Sequence, residues 1–378
     1  MNNKQLTTWE AACIITGYGV GGGVLSMPYL ANKIGFINSF IVLVIAFAAS
    51  YVLHLMIADL SIKTEQGDQI ISCLEQFLFK GRFKKVMTVG FFGLLLAILF
   101  TNLTGYITGA EELIVSLIHV PSFVAKLIFY IIAAAVVFYG LKIVGMSESV
   151  AVTVIFVMVG ILAVASFVTG HNEVTMMKAD LNGILAYYGM AMFSMAAFFS
   201  VPQAVIGLGG DRKKIKKSIF IGFLNNFVII VVINFCALLA SSEVTEVGMI
   251  GWSQGIGLWA QVVGSIFIVL AMLTTYWSLS LALAEIVEET TKLNTRISWL
   301  IATLPSLILA LVNLGNFMEI MRLAGGLISI VIAVMIVPAF INSKKAPGES
   351  MLKYNGKLVC AITIAAYVLM GIGSVVPV

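Results

Sequence analysis

The residues able to do chemistry lie in two short runs where an otherwise apolar chain stops being a good helix. The first is Thr16-Gly17-Tyr18-Gly19-Val20-Gly21-Gly22-Gly23-Val24-Leu25-Ser26-Met27-Pro28, which places five glycines and a proline inside a long hydrophobic stretch. Glycine costs about 1 kcal/mol in a helix interior relative to alanine, and proline about 3. A plain membrane anchor has no reason to hold this concentration of breakers. Backbone that leaves the helix at membrane depth exposes N–H and C=O groups that lipid cannot satisfy, so it needs partners from protein, water, an ion or a bound molecule. A half-helix beginning near Gly23 offers free N–H groups and the positive end of its dipole, which suit a carboxylate. Glycines at 21, 22 and 23, with Gly19 just before, let a ligand come close to the backbone. The second run is Tyr188-Gly189-Met190-Ala191-Met192-Phe193-Ser194-Met195-Ala196-Ala197-Phe198-Phe199-Ser200-Val201-Pro202. Its broken end leaves carbonyls around Phe193, Ser194 and Met195, which suit an ammonium. Neither run contains an Asp, Glu, Lys or Arg, so a ligand side chain bearing charge would lack a counter-ion there. Met192, Met195, Ala196, Ala197 and Phe198 could line an apolar pocket or simply pack.

The elements that must carry these runs are membrane spans. The 378 residues are 60% hydrophobic and 11% charged, with a mean hydropathy of +1.06; a soluble protein carries about 25% charged residues. The chain is therefore a polytopic, all-α membrane protein. With about 20 apolar residues per span, eleven helices are expected, near 8–32, 36–61, 86–117, 122–141, 148–169, 181–207, 218–240, 256–286, 296–313, 317–341 and 357–377. Between the second and third, Ile70, Ile71, Leu74, Phe77 and Leu78 recur at helical spacing and predict an amphipathic helix lying at the membrane interface. The first apolar run continues without a small-residue cleavage site, so it reads as an uncleaved helix. Cys13, Cys73, Cys236 and Cys360 are scattered and imply neither a disulfide framework nor a metal site.

If the N-terminus is cytoplasmic, the inner segments carry eighteen of the Lys and Arg residues, among them Arg212, Lys213, Lys214, Lys216 and Lys217. The outer ones carry only Lys33, Lys126 and Lys178. This bias orients the chain with its N-terminus inside and its C-terminus outside, and it explains the formal charge of +4 without any nucleic-acid partner. The two broken runs lie five spans apart, and an odd number of spans inverts the second half. Discontinuous helices at matching positions of inverted halves point to a midplane binding site. The expected division is residues 1–170 (spans one to five), 171–342 (spans six to ten) and 343–378 (a loop and span eleven).

Gly21-Gly22-Gly23-Val24-Leu25-Ser26-Met27-Pro28-Tyr29 resembles the G-x-G-[IV]-L-x-[LM]-P-[YF] signature of the amino acid/auxin permease family, in the amino acid–polyamine–organocation superfamily. Gly105-Tyr106-Ile107-Thr108-Gly109-Ala110-Glu111-Glu112-Leu113 looks like the third span of bacterial aromatic amino acid permeases. The resemblance implies a leucine-transporter-type fold of five plus five inverted helices, broken in helices one and six, with alternating access and a substrate carboxylate at the glycines. A neutral L-amino acid is then the expected substrate. Ala271-Met272-Leu273-Thr274-Thr275 is similar to the segment that, in sodium-coupled members of the fold, gives one carbonyl and two hydroxyls to a sodium ion. Counting back from Pro28, the partner carbonyls would fall near Thr16 and Gly19. Alternatively, Thr274 and Thr275 bond to the carbonyl one turn back. Proton coupling is the competing expectation. Some superfamily members use a lysine on span five, and Ser149 to Val168 contains no ionisable residue, although His54 could carry a proton.

Intramembrane charges suggest gates. Glu319 and Arg322 lie three apart near the outer end of span ten, and Glu111 near the outer end of span three could meet Arg322. At the inner end, Glu288 and Glu289 could hold Lys4, while Asp59 would snorkel to the interface. An amino acid sensor of transporter fold would usually add a cytosolic extension, which the short Lys344–Lys357 loop disfavours; an enzyme is not expected, and no cofactor beyond a coupling ion is implied. The compact chain suits the inner membrane of a cell. In a cysteine-free background, Lys214→Cys is expected to react with an impermeant maleimide only from the cytoplasmic face and Lys178→Cys only from the outer face; the opposite pattern would reverse the topology.

Overall fold

The computed structural model describes residues 5–64, 68–170, 172–312, 331–352 and 356–377. Helix α1 (Thr8–Gly19) starts at a capping box, in which the Thr7 hydroxyl accepts from the Glu10 amide and the Glu10 carboxylate accepts from the Thr7 amide. It stops where glycines accumulate, the Val20 amide donating back to the Thr16 carbonyl at 2.9 Å. Helix α2 (Gly22–Ile34) restarts at once, bent by 58° from α1. Broken, this first span runs to the glycine Gly35, whose φ of 85° turns the chain into α3 (Phe36–Lys63).

A short helix α4 (Ile70–Phe77) precedes α5 (Lys84–Ile118), α6 (Ser122–Phe138) and α7 (Leu141–Thr169). The second broken span is α8 (Leu181–Ser194) and α9 (Ser200–Gly207), separated by non-helical backbone. Asp211 then caps α10 (Arg212–Ala240) by accepting from the Lys213 and Lys214 amides. The rest is α11 (Gly248–Ile256), α12 (Leu258–Thr291), α13 (Thr295–Leu311), α14 (Val331–Ser343) and α15 (Lys357–Val375).

Among the described residues, six helices are long and apolar enough to cross a bilayer, or seven with α1 and α2 taken as one bent span; α6, α13 and α14 are shorter apolar helices. The protein is thus an all-helical integral membrane protein. Its outer shell is apolar: Val164, Phe167, Val168 and Leu258 are exposed, as suits a surface facing lipid. The interior holds α1 against α7, α10 and α12, and α2 against α8 and α10, which brings the two breaks together.

Two elements differ from the expectations. Helix α4 turns its apolar face into the protein, with Ile70, Ile71 and Leu74 buried on α12, α5 and α3. Its start is fixed by Glu289, which accepts from the Gln69 amide and the Ser72 hydroxyl. The interface helix is therefore a strut of the bundle. Second, α11 precedes span eight as a separate buried helix, with Gly248 against the ring of Pro28. Glu319, Arg322 and Lys4 lie outside the described residues.

Close helix packing depends on a few glycines. At α8 and α15 a Cβ on Gly373 would collide with the Leu185 carbonyl, and one on Gly189 would lie 2.9 Å from the Gly373 carbonyl carbon. Backbone cannot step aside as a flexible side chain can, so Gly373→Val must part the helices. It should cost about 1–3 kcal/mol, measured as a lower melting temperature in detergent or nanodiscs.

Candidate binding site

The breaks face each other across one cavity. Its walls are Tyr18, Gly19, Gly21, Gly22 and Gly23 from the first break, Phe193, Ala196 and Phe198 from the second, Asn102 and Tyr106 from α5, and Thr275 and Leu279 from α12. None of these is charged. Of the residues expected at the substrate, Gly19, Gly21, Gly22, Gly23, Phe193 and Ala196 line the cavity, whereas Ser194, Met195 and Ala197 are buried behind it.

The glycines are required by close approach. A Cβ on Gly23 would stand 2.5 Å from the Ser194 hydroxyl, and one on Gly19 2.5 Å from the Ser194 carbonyl. A Cβ on Gly21 would collide with the Thr275 hydroxyl and lie 3.2 Å from that of Tyr106. The second break is held from outside itself. The Ala196 amide donates to the Phe193 carbonyl at 3.0 Å, and the Ala197 amide donates to His54 Nε2 at 2.9 Å. His54 in turn lies 2.6 Å from the Ser50 carbonyl through Nδ1 and stacks on Phe198. With Nδ1 as the donor and Nε2 as the acceptor, the ring is neutral and acts as a brace for the unwound segment.

The expected ion ligands converge in part. The Thr274 and Thr275 hydroxyls donate to the Ala271 carbonyl at 2.9 and 3.1 Å, and to the Gly17 carbonyl at 3.2 and 2.9 Å; Thr275 also reaches the Tyr18 carbonyl at 3.4 Å. The first-break carbonyls at this point are thus those of Gly17 and Tyr18. The Thr16 carbonyl closes the last turn of α1 through its bond to Val20, and the Thr16 side chain turns towards α10, where it meets the Gly222 carbonyl and Asn225.

One residue was not anticipated. Glu148, on α7, is fully buried and touches this cluster, its Oε2 standing where a Cβ of Gly17 would be. Its Oε1 accepts from the Ser278 hydroxyl at 2.7 Å, while Oε2 has no hydrogen-bond partner. No Lys or Arg among the described residues forms an ion pair with it. Its position at the start of span five reads in sequence as an interfacial charge, and the uncharged stretch expected on that span begins one residue later.

Among the described residues, ion pairs tie the ends of the bundle. Glu111 lies 3.7 Å from Lys126, a lysine buried between α5 and α6. On the other side, Glu10 pairs with Lys142 at 2.6 Å and ties α1 to α7. The Leu6 amide donates to the Gly207 carbonyl at 2.7 Å, and the Leu6 side chain fills the space over both Gly145 and Gly207. Glu289 is engaged by α4 and Glu288 accepts from the Thr295 hydroxyl at 3.2 Å, while Lys142 and Leu6 hold the start of α1. Asp59 does not snorkel; it is buried between Lys63 at 3.2 Å and Arg212 at 3.4 Å.

Paired broken helices meet around an uncharged cavity inside a membrane bundle, an arrangement whose walls enclose a molecule. Solved structures of the same fold agree. Mhp1, a nucleobase-cation-symport-1 family transporter solved in a closed conformation with bromovinylhydantoin bound, superposes with a TM-score of 0.71 at 12% identity, over 98% of this chain and 91% of that one. MhsT in complex with L-phenylalanine superposes with a TM-score of 0.67 at 14% identity, over 98% and 99%. Both share the leucine-transporter-type fold. No curated protein matches in sequence. The model of the tryptophan/tyrosine permease family matches residues 4–376, and the chain belongs to that family.

Replacing His54 by leucine would leave the Ala197 amide buried and unpaired, at a cost of about 1–3 kcal/mol. His54→Leu is expected to lower the melting temperature and weaken ligand binding, with His54→Gln, which keeps an acceptor, falling between.

Proposed function

We propose that the chain is a secondary active symporter of neutral aromatic L-amino acids, driven by a monovalent cation that neutralises Glu148. The observation that carries the reading is the meeting of both helix breaks at one cavity whose walls are uncharged and rich in aromatic rings. An amino acid brings a carboxylate and an ammonium into a low-dielectric space, where unpaired charge is costly. Amides at Gly21, Gly22 and Gly23, at the start of α2, suit the carboxylate, and the Tyr106 and Thr275 hydroxyls beside Gly21 can add to them. The ammonium would turn to carbonyls of the second break. Phe193, Phe198, Tyr18 and Leu279 leave an apolar space for the side chain. Membership of the tryptophan/tyrosine permease family and the fold shared with phenylalanine-bound MhsT support an aromatic side chain.

A carboxylate buried without a counter-ion is costly, so Glu148 calls for one positive charge. A sodium ion fits, because the Gly17, Tyr18 and Ala271 carbonyls and the Thr274 and Thr275 hydroxyls supply neutral oxygens around the unpaired Oε2. A proton on Glu148 would serve the same neutralising role, and the hydroxyls' existing bonds to the Ala271 and Gly17 carbonyls favour it. In either case substrate and cation together stabilise the closed arrangement of a protein that exchanges between outward-open and inward-open states. In this reading residues 1–170 and 171–342 are the inverted halves, 343–378 adds the last span, and the N-terminus faces the cytoplasm of an inner membrane.

Uptake of radiolabelled tryptophan into proteoliposomes tests this, with a sodium gradient against choline at matched pH and a pH gradient without sodium. One of the two gradients should drive accumulation. Glu148→Gln should abolish accumulation yet leave exchange across equal tryptophan concentrations measurable. Accumulation by Glu148→Gln at the wild-type level would remove Glu148 from coupling. Binding of aromatic amino acids without movement under either gradient would instead make the chain a sensor.

A further inference from the structure

Asn102 is a polar side chain in a place that packing does not require. It sits in the middle of α5, 5% exposed, with its side chain in the cavity wall. Its neighbours in sequence, Leu99 and Leu103, are buried apolar residues, while Thr101 faces outward. Its Oδ1 is buried and has no hydrogen-bond partner among the described residues. Buried amide oxygens in folded proteins are almost always paired, and an orphan one on a side chain that lines a binding cavity is a socket for a donor that arrives with the ligand.

Its place along α5 says which end of the ligand that donor belongs to. Tyr106, one helical turn further on, stands with its hydroxyl beside Gly21, at the level where the glycine amides receive a carboxylate. Asn102 is offset from it by four residues, about 6 Å along the helix axis. That is of the order of the reach from the α-carbon of an aromatic amino acid to the heteroatom of its ring. Phe193 and Phe198 supply apolar ring contacts in the same cavity, so a planar side chain between them would bring its polar edge to the α5 wall.

Building on the aromatic amino acid reading, we propose that Asn102 is a specificity-determining residue whose Oδ1 accepts a hydrogen bond from the ring of the substrate, selecting side chains that carry an N–H or O–H over plain hydrocarbon rings. The indole N–H of tryptophan and the phenol of tyrosine meet this requirement, and phenylalanine does not. A site built to hydrogen-bond such a group discriminates against the analogue lacking it, because its own polar atom is then left unpaired.

The test compares equilibrium binding of four ligands to the purified full-length protein in nanodiscs: tryptophan, its isostere 3-benzothienylalanine (sulfur in place of the ring N–H), tyrosine and phenylalanine. Wild type should bind tryptophan at least about tenfold more tightly than the benzothienyl isostere, and tyrosine more tightly than phenylalanine by a similar factor, as expected for one buried hydrogen bond. Asn102→Leu should bring each pair together, chiefly by weakening tryptophan and tyrosine, while phenylalanine binding persists and certifies the fold. Asn102→Gln should restore part of the discrimination.

Equal affinity of wild type for tryptophan and its isostere would overturn the proposal without any variant. So would a loss of all four ligands in equal measure in both Asn102 variants, which marks a structural role. A preference for tyrosine over phenylalanine with no gain for tryptophan over its isostere would show the amide donating, and would overturn the acceptor assignment. If none of the four binds, the aromatic amino acid reading itself falls, a result distinct from binding without discrimination.

Discussion

Hydrocarbon solvates no amide, so wherever a helix stops inside a membrane the protein must itself supply every partner the freed backbone needs. The molecule arranges two such stops side by side. Val20 and Val24 return their amides to Thr16 and Gly21, two threonine hydroxyls reach the Gly17 carbonyl, and a histidine from α3 takes the Ala197 amide. The remaining amides at the start of α2 have no helical partner in the preceding turn. The cavity is where that accounting is left open, and in the proposed reading a substrate carboxylate closes it. Binding and folding are two parts of one hydrogen-bond inventory.

The first break also works by omission of side chains. Alternate residues 17, 19, 21 and 23 are glycine, and each vacated volume is filled from another helix: Glu148 over Gly17, Asn226 and the Ser194 carbonyl over Gly19, Thr275 over Gly21, Ser194 over Gly23. Their conformational freedom matters less than their small size, which lets α7, α8, α10 and α12 close onto one strip of backbone. In the proposed reading that strip is shared by the amino acid pocket and the cation site, so filling one alters the walls of the other directly.

Much of this was legible in sequence because it rests on strong local signals. Glycine and proline within apolar runs marked both breaks, the Thr274-Thr275 pair marked the cluster on α12, and hydropathy marked the spans. The failures share a cause. Glu148, Asn102 and His54 act by reaching across to other helices, and a polar residue in a span looks the same whether it faces a neighbour's backbone, a cavity or a lipid headgroup. Counting back from Pro28 pointed near Thr16 and Gly19, and the residues between them, Gly17 and Tyr18, turn their carbonyls to the Thr275 hydroxyl on α12. Helix α4 carried the amphipathic pattern of a surface helix, and pattern alone cannot tell a face turned to lipid from one turned to protein. Glu111 found Lys126 because α5 and α6 are packed together, a proximity that no sequence spacing encodes.

The closure around Leu6 differs in kind from the ion pair beside it. Glu10 and Lys142 respond to ionic strength, whereas the Leu6 side chain, seated over Gly145 and Gly207, is held by exclusion of water. Apolar contacts of that sort weaken on cooling. In the alternating-access reading, opening this end of the bundle therefore carries a heat-capacity component set by one leucine and the two glycines that make room for it, and the working temperature of the membrane helps set how long this end stays shut.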